Sequence, residues 1–133
     1  MVSLSVLLFA AGTLLQEALK LYSNNTLKDH PEAVNALRDA AEDGNTDAAF
    51  LLATSYRNGK TGVKDSARAM KWYKKAANEG DADAMLMLGW LYYKGSATLP
   101  SNVGMAKVWF EKAAVRGIDE AIEMLEILKE TSL

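Results

Sequence analysis

Cysteine is absent from the 133-residue sequence, and histidine occurs once, as His30. Without cysteine, the chain has no disulfide, no thiolate nucleophile and no cysteine-ligated metal site. Proline is also scarce, with Pro31 and Pro100 as its two occurrences. Since proline interrupts helices and hydrophobic residues make up 50% of the chain, this composition favours helices around a sizeable core.

A surplus of charge is lacking as well, because the formal net charge is −2. Nucleic-acid-binding domains usually carry a strongly basic surface, so we expect no nucleic-acid partner. The sequence has no G-x-S-x-G, and "TGVKDS" at 61–66 lacks the spacing of a phosphate-binding loop. We therefore expect no enzymatic activity, no catalytic residue, no metal site, no cofactor and no small-molecule substrate.

An internal repeat is the strongest signal in the sequence. Residues 47–59, "DAAFLLATSYRNG", match residues 83–95, "DAMLMLGWLYYKG", at a shift of 36. Residues 66–80 match residues 103–117 at a shift of 37, so an extra residue lies in the intervening loop. A partial copy precedes the first full unit at 32–44, and another half-unit follows the second at 120–128.

Each half of the repeat has the spacing of an amphipathic helix. Gly44, Gly80 and Gly117 stand where a helix ends, and an Asn or Asp stands near the start of the next. We predict seven helices and no strand, over residues 4–23, 31–43, 46–58, 66–79, 82–94, 103–116 and 119–130. The large side chains shared by the repeats should be buried, namely Leu52, Tyr56, Trp72, Tyr73, Leu88, Tyr92, Trp109 and Phe110.

"AMLMLGWLYYKG" followed by "AKVWFEKAAVRG" resembles the Sel-one-like repeat, a branch of the tetratricopeptide superfamily. The resemblance covers residues 32–128. It implies an all-α fold, an α-solenoid of about three antiparallel helix pairs plus a C-terminal helix in a right-handed superhelix. We expect one domain over 1–133, with an atypical apolar helix and loop at 1–30 and repeats at 31–133.

The resemblance also implies that the first helix of each pair lines the concave face of the solenoid. Positions on that face that differ between the repeats are free to recognise a partner. Trp90 and Tyr93 are neighbours there, because they are three residues apart on a helix. We expect a partner-binding surface formed by Phe50, Thr54, Arg57, Leu86, Trp90, Tyr93 and Lys94. Trp90 has two interpretations, a binding anchor or a residue that packs against a neighbouring helix.

Positive charge gathers on the second helix of the first full repeat. A run of this kind is commonly a solvated outer face. It is also a second candidate for a binding surface, with Arg68, Lys71 and Lys75 as its residues.

The first sixteen residues, "MVSLSVLLFAAGTLLQ", contain no charged side chain. We expect a retained helix that associates with a second copy or a partner, because an apolar terminal helix needs cover. A secretory signal or membrane anchor is the alternative. A cytoplasmic location is therefore expected, with a periplasmic, secreted or membrane-associated one as the alternative.

The resemblance implies that the chain is an adaptor that binds a protein or peptide. The alternative within binding proteins is a bacterial immunity or inhibitor protein that neutralises a toxin or effector. A hydrolase is the remote alternative, because some relatives with cysteine pairs were once proposed to act on β-lactams.

Overall fold

The computed structural model describes residues 11–131, and the secondary structure of this part of the chain consists of helices joined by loops, without a strand. It contains seven α-helices and a short 3-10 helix at Leu27–Asp29. In chain order the α-helices are α1 (Ala11–Ser23), α2 (Pro31–Glu42), α3 (Thr46–Arg57), α4 (Ser66–Asn78), α5 (Ala82–Lys94), α6 (Val103–Val115) and α7 (Asp119–Thr131). The predicted helix over 4–23 is confirmed from residue 11 onward, and its earlier part lies outside the described residues.

Side-chain caps explain where the helices begin. The side chains of Asn45, Asp81 and Asn102 each accept a hydrogen bond of 3.0 Å from the backbone N–H three residues further on. Asp65 accepts the same bond from the N–H of Arg68, at 2.9 Å. These bonds satisfy N–H groups that have no partner within the helix, so the predicted starts of α3 to α6 are confirmed.

Glycines end the helices as predicted. Gly80, for example, follows α4 with a φ of 103°, and it leads directly to the Asp81 cap of α5. A residue with a side chain is strained at this backbone angle, whereas glycine adopts it freely.

The chain divides into two compact units between Trp72 and Tyr73, within helix α4. We call residues up to Trp72 the N-terminal unit and residues from Tyr73 the C-terminal unit. In the N-terminal unit α2 packs against α3, and α1 contacts both helices. Its core is built from alanines and from larger side chains, among them Leu27, Leu37, Leu52, Tyr56 and Trp72.

In the C-terminal unit α6 packs against both α5 and α7. Gly89 allows the close approach of α5 and α6, because a Cβ atom there would lie 2.5 Å from ring carbons of Phe110. Phe110 and Tyr73 are fully buried, as predicted, and Trp109 is 7% exposed. Tyr92 is half-buried rather than buried, which corrects the sequence-based expectation for this residue.

Candidate functional site

The predicted surface residues of the C-terminal unit lie on helix α5. The Trp90 and Tyr93 rings meet edge to face, with their centroids 5.8 Å apart. The Lys94 ammonium lies 5.1 Å from the centroid of the Trp90 ring. These three side chains therefore form one aromatic and cationic cluster, as their spacing on the helix indicates.

Trp90 is held from two further directions. Its Nε1 donates a hydrogen bond of 2.8 Å to Oε1 of Glu120 on helix α7. Its ring meets Phe110 of α6 edge to face, at 5.6 Å between centroids. Trp90 is half-buried and packs against the core, which favours the packing interpretation of this residue. The residue is thus part of the structural framework, and its remaining surface has a fixed orientation.

Leu86 requires a correction. The side chain is 6% exposed and belongs to the hydrophobic core of the C-terminal unit, together with Phe110 and Met124. It has too little accessible surface to contact a partner. The equivalent residue of the other repeat, Phe50, is only half-buried. The burial of Leu86 therefore could not be inferred from the comparison of the two repeats.

The predicted surface residues of the N-terminal unit lie on helix α3. Phe50, Thr54 and Arg57 are all half-buried, and each interacts with other groups of the protein. Each of these three side chains therefore offers only part of its surface to a partner.

A basic cleft lies on the N-terminal unit. It consists of two adjoining hollows of about 350 Å³ and 330 Å³, which share Arg38, Tyr56 and Arg68. We call it the Arg38 cleft. Lys28 adds a cation to the first hollow, and Lys71 adds one to the second.

Tyr56 organises the two arginines of the Arg38 cleft. Its hydroxyl accepts a hydrogen bond of 3.1 Å from one terminal nitrogen of Arg38. The other terminal nitrogen of Arg38 donates to Oδ1 of Asn35, at 2.9 Å. The Arg68 guanidinium carbon lies 5.6 Å from the centroid of the Tyr56 ring, within the range of a cation–π contact. Two guanidinium groups thus contact one buried tyrosine.

The predicted basic face separates into two environments. Arg68 and Lys71 line the Arg38 cleft, and the Lys71 ammonium lies 5.1 Å from the Trp72 ring centroid. Lys75 forms an ion pair with Glu79, at 3.3 Å. Sequence reasoning missed Arg38, although it occupies the position of Lys74 at a shift of 36.

Residues 11–131 contain no group of three or more His, Asp or Glu side chains placed to hold a metal ion. His30 contacts Glu32 through Nδ1 and Oε1, at 3.0 Å. Hydrogen bonds from the backbone N–H of Glu32 and from the His30 side chain lower the pKa of this exposed carboxyl.

None of the helices in residues 11–131 combines the length and apolar character that crossing a membrane requires.

Comparison with known proteins points to one repeat family. The sequence model of the Sel1 repeat matches residues 46–81 and again residues 82–117. No curated protein matches the sequence significantly.

Several solved structures share this fold, and three of them are described here. The protective antigen c5321 of uropathogenic Escherichia coli, which displays an SLR fold, is 31% identical, with a TM-score of 0.68 over 72% of this chain. A Sel1 repeat protein from Oxalobacter formigenes is 36% identical, with a TM-score of 0.66 over 72% of this chain. The chain spans 21% and 28% of these two proteins, respectively.

The third is cysteine rich protein B of Helicobacter pylori, which is 27% identical, with a TM-score of 0.66. The match covers 90% of this chain and 94% of that one. All three comparisons are with helical repeat proteins, so the predicted all-α solenoid class is confirmed.

Proposed function

Because the chain belongs to the Sel1 repeat family, whose members generally serve as protein-interaction modules, we propose that it is a non-catalytic module that binds a partner protein or peptide. The family is a non-catalytic helical scaffold, and no solved relative named above is described as an enzyme. The comparisons do not favour the immunity-protein or hydrolase alternatives.

The observation that carries this proposal is the cluster of Trp90, Tyr93 and Lys94. Tryptophan and tyrosine are enriched among the residues that dominate binding energy at interfaces. Glu120 and Phe110 fix the orientation of the Trp90 ring before any partner arrives. A rigid aromatic surface loses little conformational entropy on binding, and this supports its use as a contact site.

We place the partner contact of the C-terminal unit at Trp90, Tyr93 and Lys94. In the N-terminal unit the proposed contact uses the accessible parts of Phe50, Thr54 and Arg57. Self-association through residues 1–16 and a cytoplasmic location remain predictions, since most of that segment lies outside the described residues.

Affinity capture from cells of the source organism, with quantitative mass spectrometry, tests the proposal. We expect the wild-type chain to enrich a partner in which an acidic group pairs with Lys94. Lys94→Glu should reduce its recovery at least about tenfold, because two like charges placed against each other at an interface cost several kcal/mol. Lys107→Glu is the matched control, since Lys107 is exposed on α6 and lies outside the cluster. Equal recovery with both variants would remove the binding role of this cluster.

A further inference from the structure

We propose that the Arg38 cleft binds an acidic peptide segment, whose carboxylates contact Arg38 and Arg68 on either side of Tyr56. This inference rests on the proposed function as a protein-binding module, and it names the chemistry of a second contact site.

Arg38 is the first reason. The residue is half-buried, and its two terminal nitrogens donate to neutral acceptors, Asn35 and the Tyr56 hydroxyl. Within residues 11–131 it forms no ion pair with a carboxylate. A partly desolvated cation without a counter-charge favours an anionic ligand, and its fixed fork geometry matches a carboxylate.

Tyr56 is an independent second reason. The residue is 4% exposed, yet it lines both hollows of the cleft. Its hydroxyl oxygen accepts from Arg38, and within the described residues the hydroxyl proton has no acceptor. A buried hydroxyl usually donates as well as accepts, so this proton is available to a carboxylate oxygen placed beside Arg38.

The charge of the cleft strengthens both reasons. Its described lining includes four cationic side chains and one carboxylate, Asp65. Asp65 is already engaged, because it accepts the backbone N–H of Arg68 and lies 3.5 Å from Nε of the same residue. The cleft is therefore positive in a protein whose formal net charge is −2. Such a local surplus attracts an acidic partner.

The shape of the cleft favours a peptide segment over a single small anion. Lys28 lies in one hollow and Lys71 in the other, so cations are available beyond the two central arginines. Val34 and Val63 add an apolar wall to the first hollow, and Val63 is 76% exposed. A segment with several acidic residues and an apolar one matches this combination of surfaces.

Fluorescence anisotropy on the full chain tests the inference. The probe is a short fluorescein-labelled peptide in which glutamate alternates with alanine and leucine, and its analogue carries glutamine in place of glutamate. We expect the glutamate peptide to bind at least about tenfold more tightly than the analogue, because charge-assisted hydrogen bonds are roughly twice as strong as neutral ones. We also expect its affinity to fall as salt is raised.

Variants locate the binding site. Arg38→Met and Arg68→Met should each weaken peptide binding about tenfold, the equivalent of about 1.4 kcal/mol. Arg38→Lys should lie between wild type and Arg38→Met, since it keeps the charge and loses the fork. Lys20→Met, an exposed residue of α1 outside the cleft, is the matched control and should leave binding unchanged. Thermal melts followed by far-ultraviolet circular dichroism check that each variant folds. We expect Arg68→Met to fold normally, because its repeat equivalent is Met105.

Three results would overturn the inference. These are equal affinity for the glutamate and glutamine peptides, unchanged binding in folded Arg68→Met, and full displacement of the peptide by inorganic phosphate at equal concentration. The last result would indicate a site for single anions. If the glutamate peptide fails to bind while partner capture still depends on Lys94, this inference falls and the proposed function stands.

Discussion

The two full repeats hold the same aromatic pair in different chemical surroundings. Tyr56 and Trp72 of the first correspond to Tyr92 and Trp109 of the second. Beside the first pair lie two cations, Arg68 and Lys71, and the equivalent positions of the second repeat carry Met105 and Val108. Met105 is 36% exposed and Val108 is 41% exposed, so both are surface positions. On a shared framework, these two surface positions are thus basic in one repeat and apolar in the next.

The cation that approaches each tyrosine shows the same freedom. Arg38 donates a hydrogen bond to the Tyr56 hydroxyl, whereas Lys74 places its ammonium 5.8 Å from the Tyr92 ring centroid. Both tyrosines thus have a cation nearby, but the planar guanidinium that can bind a carboxylate through two hydrogen bonds lies beside Tyr56. Residues shared between the repeats thus build the fold, while the positions around them differ in charge and polarity.

The largest expected effect concerns the shared framework. Trp109→Ala and Trp72→Ala should each lower the free energy of unfolding by about 3–5 kcal/mol, the usual range for deleting a buried tryptophan. Denaturant titration followed by circular dichroism measures both. A wild-type midpoint for either variant would break the equivalence of the two aromatic pairs.

Trp109→Phe sharpens this result. Nε1 of Trp109 is buried and has no hydrogen-bond partner within the described residues. Replacing the indole with phenyl removes that unsatisfied donor, which offsets part of the lost packing. We expect the Phe variant to lose much less stability than the Ala variant.

Gly89 marks a difference between the repeats, because its equivalent in the first repeat is Ala53. Gly89→Ala should lower the unfolding free energy by about 1–3 kcal/mol, since the new methyl group would overlap the Phe110 ring. Gly104→Ala is the matched control on helix α6, where the nearest atom to a new Cβ is 3.4 Å away. If Gly89→Ala has the same unfolding free energy as wild type, helices α5 and α6 tolerate a wider spacing.

Trp90→Ala should have a smaller effect on stability, and the structure predicts a different loss than the repeat comparison does. Comparison with Thr54 alone predicts almost no loss of stability. The contacts of Trp90 with Phe110 and Glu120 instead indicate a loss of about 1–2 kcal/mol, because an aromatic pair and a hydrogen bond disappear. Thermal melts of the variant and wild type decide between these two values.

The smallest effect is the pH dependence at Glu32, whose repeat equivalent is Arg68. Hydrogen bonds lower the pKa of Glu32 in the folded protein. Its contribution is therefore present above the ordinary carboxyl pKa and is lost as the pH falls through the folded-state pKa. Melts of wild type and Glu32→Gln should differ slightly at neutral pH and converge in acid. A difference that grows in acid would reverse this sign.

The sequence predicts the helices well because their signals are local. The observed bounds of α2 to α7 agree with the predicted ones to within one residue, since each Asn or Asp cap acts three residues along the chain. The short helix at Leu27–Asp29 was not predicted, because it lies outside the repeat.

Much of the candidate site could not be predicted, because it depends on contacts between helices. Leu86 is buried by residues of α6 and α7, and Trp90 is fixed by Phe110 and Glu120. Arg38 gains its importance from Tyr56, which is 18 residues away in sequence. Repeat comparison identifies variable positions, but the burial of each one follows from neighbours that the alignment does not contain.

A reciprocal exchange between the repeats is the most direct test of this account. One variant combines Arg68→Met with Lys71→Val, and the other combines Met105→Arg with Val108→Lys. Each is measured by a thermal melt and by anisotropy with the glutamate peptide. We predict wild-type melting for both, an affinity at least about tenfold lower for the first, and an affinity above wild type for the second. Unfolding of either variant, or unchanged affinity in both, would contradict the separation of framework and binding positions.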